Sequence, residues 1–169
     1  KSLHQGIELS LGAEAKPGRD LALALDANTT LSDNHFVDFK EKLDATTTIS
    51  RDGKTIGFFP AVLANAGARL NWKGASLGAD ARYGGRIYLD ASEDRAASIA
   101  PRTVLDLNAG WRVSFAGGPE ATLMVRVFNA LDLKYAAGGY FDYDDAGNYV
   151  PLLIPAATRN VQAQVRVEF

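Results

Sequence analysis

An all-β, antiparallel, up-and-down transmembrane β-barrel segment of about seven long strands is the fold this sequence predicts. Three observations predict it. Apolar and polar residues alternate with period two through seven separate runs, the mark of strands whose two faces meet different surroundings. The connections between the runs go short, long, short, long, short, long. Membrane barrels are built that way, with tight turns on one side and long loops on the other. Finally, no charged residue falls on the apolar face of any run.

The first run, residues 5–15, sets Ile7, Leu9, Leu11 and Ala13 against Glu8, Ser10, Gly12 and Glu14. Pro17 and Gly18 follow as a tight turn, since Pro presets φ and Gly admits positive φ. Residues 21–31 put Leu21, Leu23, Leu25 and Ala27 opposite Asp26 and Asn28. A polar stretch, 32–59, reads as the first long loop. In 62–72, Leu70 and Trp72 oppose Arg69 and Asn71, and Lys73-Gly74 turns the chain back. The fourth run, 75–89, sets Leu77, Tyr83, Ile87 and Leu89 against Asp80, Arg82 and Arg86. Residues 90–101 form the second long loop.

The fifth run, 105–115, opposes Leu105, Leu107, Trp111 and Val113 to Asp106, Asn108 and Arg112, and 116–119 is a short turn. In 121–128, Leu123, Val125 and Val127 face away from Thr122, Met124, Arg126 and Phe128. The third long loop covers 131–155. The last run, 161–169, sets Val161, Ala163, Val165, Val167 and Phe169 against Gln162, Gln164, Arg166 and Glu168.

Runs of this length suit a tilted strand crossing a bilayer; strands of soluble sheets average roughly 5–6 residues. Spanning strands must pair every backbone group, so they close into barrels. Trp72, Phe115 and Phe169 stand at the short-turn ends on the apolar face, where an aromatic girdle belongs. The other face then lines a wet or plugged lumen. Asp26, Arg69, Asp80, Arg82, Asp106, Arg112, Arg126 and Arg166 are its expected lumen-facing residues, read as ion-pair ladders and plug contacts in preference to a polar substrate track. The competing reading is a soluble, lipocalin-like ligand-binding β-barrel with the apolar face as its core. Strand length and an Ala-rich apolar face, which would fill a dry core poorly, speak against it.

Composition narrows function. With 18 Lys+Arg against 20 Asp+Glu the chain carries a formal charge of −2, which gives no support to nucleic-acid binding. There is no Cys and there are two His, so thiol chemistry is excluded and His-based metal clusters are disfavoured. No nucleophile elbow, phosphate loop or dinucleotide fingerprint appears, so no enzyme, cofactor or metal is expected. The stretch 142–148 resembles the start of a calcium loop, but Ala146 and Leu153 stand where ligands are required; it reads as an acidic outer loop. Binding residues concentrate on loops held by rigid scaffolds. On that ground His35, Phe36 and Phe39 in the first long loop, with Tyr140, Phe141, Tyr143 and Tyr149 in the third, are the candidate ligand-capturing mouth. Loop-on-loop packing is the alternative use of the same residues.

The last third of the chain carries a resemblance. Arg126-Val127-Phe128-Asn129-Ala130-Leu131-Asp132-Leu133-Lys134-Tyr135 resembles the V-x-N-L-x-D-x-x-Y stretch of TonB-dependent outer-membrane receptors. Ile154-Pro155-Ala156-Ala157-Thr158-Arg159 resembles the P-x-x-x-R ahead of their last strand, with Ala157 where Pro or Gly is common. The strand ending in Phe169 is similar to their closing strand, and His4-Gln5-Gly6-Ile7-Glu8 to a common strand opening. The resemblance implies a 22-stranded barrel with a plugged lumen. Residues 1–169 would be its C-terminal barrel segment, without plug or energy-coupling box. It further implies a bacterial outer-membrane location and active uptake of a scarce nutrient, such as a ferric siderophore, cobalamin or a glycan. The implied partners are outer-membrane lipid, the transported small molecule, TonB acting through the plug, and the barrel-assembly machinery. That machinery would read Val161, Ala163, Val165, Val167 and Phe169. A seven-stranded segment leaves two open edges, at 5–15 and 160–169, which recruit partners.

Overall fold

The computed structural model describes every residue, Lys1–Phe169. There are thirteen strands. The first six are β1 (Ser2–Ala15), β2 (Leu21–Phe36), β3 (Lys40–Lys42), β4 (Thr48–Ser50), β5 (Val62–Trp72) and β6 (Ala75–Gly84). They are followed by β7 (Ile87–Tyr88), β8 (Ser98–Ile99), β9 (Arg102–Ser114) and β10 (Glu120–Phe128). Last come β11 (Ala136–Tyr143), β12 (Tyr149–Pro155) and β13 (Asn160–Glu168). Seven of them make one antiparallel sheet in the order β1-β2-β5-β6-β9-β10-β13, and the short strands pair two by two as β3-β4, β7-β8 and β11-β12. The long strands are therefore neighbours in chain order, as in an up-and-down wall.

Register carries the alternation across the whole sheet. Ala13, Leu25, Ala68, Ala79, Leu107, Val127 and Val161 lie on one rung, all on the same face. A slip of one residue in any strand would turn its whole apolar set to the other face. The apolar face has no cover: Leu11 is 77% exposed, Leu77 56%, Leu107 40% and Val165 68%. Only nine of the 169 residues are buried, so the wall has no dry centre. Leu23, Val113 and Val165 do not meet in a core, as the soluble-barrel reading requires. The two free edges are β1 and β13, and the sheet is not closed into a barrel.

The connections differ from the sequence reading in three places. The stretch 32–59 is not one loop: β2 continues to Phe36, and β3-β4 forms a small hairpin beyond it. The fourth run does not continue to residue 89. It stops at Gly84, and Gly85 donates its N–H to the Val62 carbonyl instead of extending the strand. A side chain at Gly85 would stand 3.0 Å from that oxygen, so the residue has to be small. The stretch 131–155 is mostly the β11-β12 hairpin, with a register shift between Ala136 and Gly138.

The buried apolar residues, Leu89, Ala97, Ile99 and Val104, gather at the long-loop end. There residues 85–101 fold back against the sheet and against β11.

Candidate functional site: the polar face and its outer vestibule

Strand pairing sets Asp26, Gly67, Asp80 and Asp106 on one rung of the polar face. Carboxylates this close on one face repel one another, and arginines from the neighbouring rungs offset the repulsion. Arg69 donates from Nη1 to Asp26 Oδ1 at 3.0 Å and from Nη2 to Asp80 Oδ1 at 2.9 Å. Arg82 Nη2 lies 3.0 Å from Asp106 Oδ2. Gly67 gives the Asp26 carboxylate its room, since a Cβ there would lie 2.6 Å from Oδ1. Nearer the short turns, Arg112 pairs with Glu120 at 3.4 Å and Arg166 with Glu168 at 2.6 Å. These pairs are mostly half exposed, so each is worth no more than about 1 kcal/mol.

Asp106 differs from the rest of the ladder. It is buried, and besides Arg82 it accepts the backbone N–H of Asn129 at 2.9 Å. Asn129 directly follows β10 in the left-handed region, φ 48°, which Asn tolerates better than most residues. Its amide clasps the base of the outer hairpin. Nδ2 donates to the Leu133 carbonyl at 2.9 Å and to the Ala157 carbonyl at 3.3 Å, and Oδ1 accepts the Leu133 N–H at 3.0 Å. Asp132 completes the clasp by accepting the Arg159 N–H at 2.9 Å. Sequence reasoning named Asn129 and Asp132 only as letters of a motif. Their spacing ahead of a long excursion, with turn-forming Asn and Asp side chains, was the signal for this role.

The expected mouth residues fall into two groups. His35 and Phe36 stand at the outer end of β2 rather than in a loop, with His35 Nδ1 2.8 Å from Asp33 Oδ1 and the Phe36 and Phe39 rings stacked at 4.5 Å. Phe141 stacks on Tyr149 at 4.9 Å, and Tyr143 tilts against Tyr149 at 5.2 Å, across the β11-β12 hairpin. Tyr140, Tyr143 and Tyr149 are exposed. No ring contact joins the two groups. The second long loop links their neighbourhoods: Glu93 Oε1 accepts the Thr55 N–H and hydroxyl at 2.8 Å each, and Lys54 Nζ lies 2.9 Å from Oε2. Phe58 N–H reaches the Tyr88 carbonyl at 2.9 Å. On the other side Leu89 packs so closely on Gly139 that a Cβ there would lie 3.1 Å from Leu89 Cδ1. The three long excursions thus form one laced vestibule.

The acidic tip 142–148 is a self-contained turn. Asp144 accepts from Asn148 Nδ2 at 3.0 Å, Asn148 N–H at 2.7 Å and Ala146 N–H at 3.0 Å. These donors, the Asn148 side chain first, hold its carboxyl below the usual range. No group of three His, Cys, Asp or Glu side chains converges as a metal site.

A single wall of long antiparallel strands, greasy on one face, charged on the other, and crowned by packed loops at one end, defines a segment of a membrane-barrel protein. The chain belongs to the TonB-dependent receptor family: the family description "TonB dependent receptor-like, beta-barrel" matches residues 1–130. Its fold is similar to that of the siderophore receptor PiuA from Acinetobacter baumannii, with a TM-score of 0.65 and 16% identity over 98% of this chain and 22% of that one. It is also similar to BauA, the ferric preacinetobactin receptor from Acinetobacter baumannii, with a TM-score of 0.52 and 17% identity over 97% of this chain and 29% of that one. The chain therefore spans less than a third of the length of either receptor. No curated protein sequence matches it significantly.

Proposed function

We propose that this chain is the C-terminal wall segment of an outer-membrane receptor that takes up a scarce nutrient by TonB-coupled transport. The observation that carries the proposal is the charge-free apolar face running unbroken across seven paired strands in a member of this family. In this reading that face meets lipid, and Trp72 and Phe115, both more than half exposed at the short-turn ends, sit at the periplasmic interface. The charged face lines the lumen and the long-loop end opens outward. The laced vestibule captures solute, and a plug contributed by another part of the protein contacts TonB. Phe169 and the outward residues of β13 serve as the assembly signal. Among ferric siderophores, cobalamins and glycans, the likeness to PiuA, a siderophore receptor, and to BauA, a ferric preacinetobactin receptor, favours a ferric siderophore.

Cysteine labelling in membranes tests this. A Cys at Leu107 is expected to react with a lipid-phase maleimide and resist a water-soluble one, whereas a Cys at Asn108, on the opposite face, reverses the order. Water-phase labelling of both positions would refute the membrane orientation. Loss of ferric-chelate uptake on removal of TonB tests the transport reading separately.

A further inference from the structure

Six arginines lie on the polar face of the long strands, and four of them meet a carboxylate within 3.4 Å: Arg69, Arg82, Arg112 and Arg166. Arg102 packs over the Tyr135 ring with its Nη1 enclosed. Arg126 alone is both exposed and without a carboxylate partner. Its guanidinium carbon lies 5.4 Å from the centre of the Phe128 ring. Stacking of that kind occupies the flat face of a guanidinium and leaves the N–H edge free to donate.

Beside Arg126 lies a hollow whose lining is uncharged apart from Arg126 itself, with Ala109, Gly110, Met124 and Val125 as its apolar part. Asn108 and Gln162 are the cross-strand partners of Arg126, and Gln164 and Ser76 belong to the next rung. These four supply the polar part of the hollow, which has a volume of about 220 Å³ and contains no carboxylate. The Asn108 amide reaches Asp80 only at 3.4 Å, and Gln162 and Gln164 are exposed. An exposed guanidinium beside amide and hydroxyl groups, with no acid among them, matches a carboxylate or another planar oxyanion. Such a group can take two parallel N–H···O bonds from one arginine. The rest of the ladder is neutralised internally, so this is the one exposed unpaired cation on the wall. It also lies three residues below Asn129, at the floor of the vestibule.

We propose that Arg126, with Asn108, Gln162 and Gln164, is a docking point for an oxyanion group of the transported solute as it leaves the vestibule. The proposal rests on the receptor reading above.

The test uses the full-length receptor that carries this chain, in detergent, with citrate as the probe. Modification of arginines by phenylglyoxal is followed by peptide mass spectrometry. Arg126 is expected to react in chloride buffer and to be protected at least fivefold by citrate. Arg69, held by two carboxylates, should change little. Calorimetric citrate binding should weaken at least tenfold in Arg126→Gln and recover in part in Arg126→Lys. Equal modification of Arg126 with and without citrate, or unchanged citrate binding in Arg126→Gln, would overturn the proposal. An Arg126 that resists phenylglyoxal before any citrate is added would assign the oxyanion to a carboxylate of the protein itself, such as one on the plug, and would also overturn it. Labelling Leu107→Cys in the same preparation separates the two levels. Lipid-phase labelling with an unprotected Arg126 sinks only the docking point, and water-phase labelling sinks the receptor reading.

Discussion

Replacing Asn129 by Ala should release the base of the outer hairpin while leaving the wall intact. The substitution removes the two short hydrogen bonds with Leu133 and the longer one to Ala157. Two good bonds at a net of about 1 kcal/mol each account for roughly 2 kcal/mol. Holding Ala at φ 48° adds roughly 1–2 kcal/mol, because Ala lacks the local side-chain hydrogen bonding by which Asn offsets the crowding of its Cβ in the left-handed region. The sum, about 3–4 kcal/mol, corresponds to a fall of two to three powers of ten in protection against hydrogen exchange. The amides to follow are Ala156, bonded to the Tyr135 carbonyl, and Arg159, bonded to Asp132. Neither touches Asn129, so they report whether the clasp opens as a unit. Asn129→Gly loses the same bonds without the backbone strain and should cost about 2 kcal/mol. Unchanged exchange at Ala156 and Arg159 in Asn129→Ala would show that the side chain does not hold the hairpin. Equal effects of Ala and Gly would refute the strain contribution.

Three further outcomes follow from the same geometry. Gly67→Ala should displace Asp26 from Arg69 and cost about 1 kcal/mol, as befits an exposed ion pair. That cost should vanish in an Asp26→Ala background, as read by urea unfolding in lipid–detergent mixtures. Leu107→Arg should destabilise the membrane-inserted wall by about 2–4 kcal/mol, the cost of a cation on the lipid face near the bilayer midplane, in the same unfolding assay. The Glu93 carboxyl is held below its ordinary value of 4.5, first by the Thr55 backbone N–H and then by Lys54. A carboxyl lowered in the folded state adds stability above the unfolded value and loses it as pH falls through the folded one. Protection of the Thr55 amide, corrected for intrinsic exchange, should therefore decline as pH drops below about 4.5. Glu93→Gln should bring that loss to neutral pH.

The seven-stranded wall was legible because a bilayer imposes one rule on every spanning residue. Leu25, Ala68, Ala79, Leu107 and Val127 share a rung, and each could be assigned its face from its neighbours alone. The outer end obeys no such rule. β2 continues through Ser32, Asp33, Asn34 and His35 as a strand in water, where neither face has to be greasy, so the alternation ends before the strand does. The fourth run shows the converse. Ile87 and Leu89 stay in phase beyond Gly85, yet they belong to a separate hairpin and its small core. Periodicity cannot show the break, because loop packing and lipid contact ask for similar residues. β11 and β12 were hidden by Gly138, Gly139 and Pro151, residues that weaken any strand signal. The aromatic residues of the first and third long connections could not be read as two separate clusters, since stacking across β11-β12 depends on a pairing that the alternation did not reveal.

The two ends of the molecule are held by different physics. Of the 94 backbone hydrogen bonds, 72 lie within strands, those of the wall and of the three short pairs together, and in the wall the apolar side chains look outward instead of at one another. Such a wall is rigid for as long as its surroundings are greasy, because an opened strand would leave N–H and C=O groups unsatisfied there. The vestibule keeps the only dry apolar cluster, Leu89, Ala97, Ile99 and Val104, together with the Glu93 and Asn129 clasps. Those contacts are few and lie beside water, so local opening costs far less there than in the wall. Asp106 stands at the boundary, bound on one side to Arg82 of the wall and on the other to the Asn129 backbone. Asp106 and Asn129 thus tie the charged face to the base of the β11-β12 hairpin through a single buried pair.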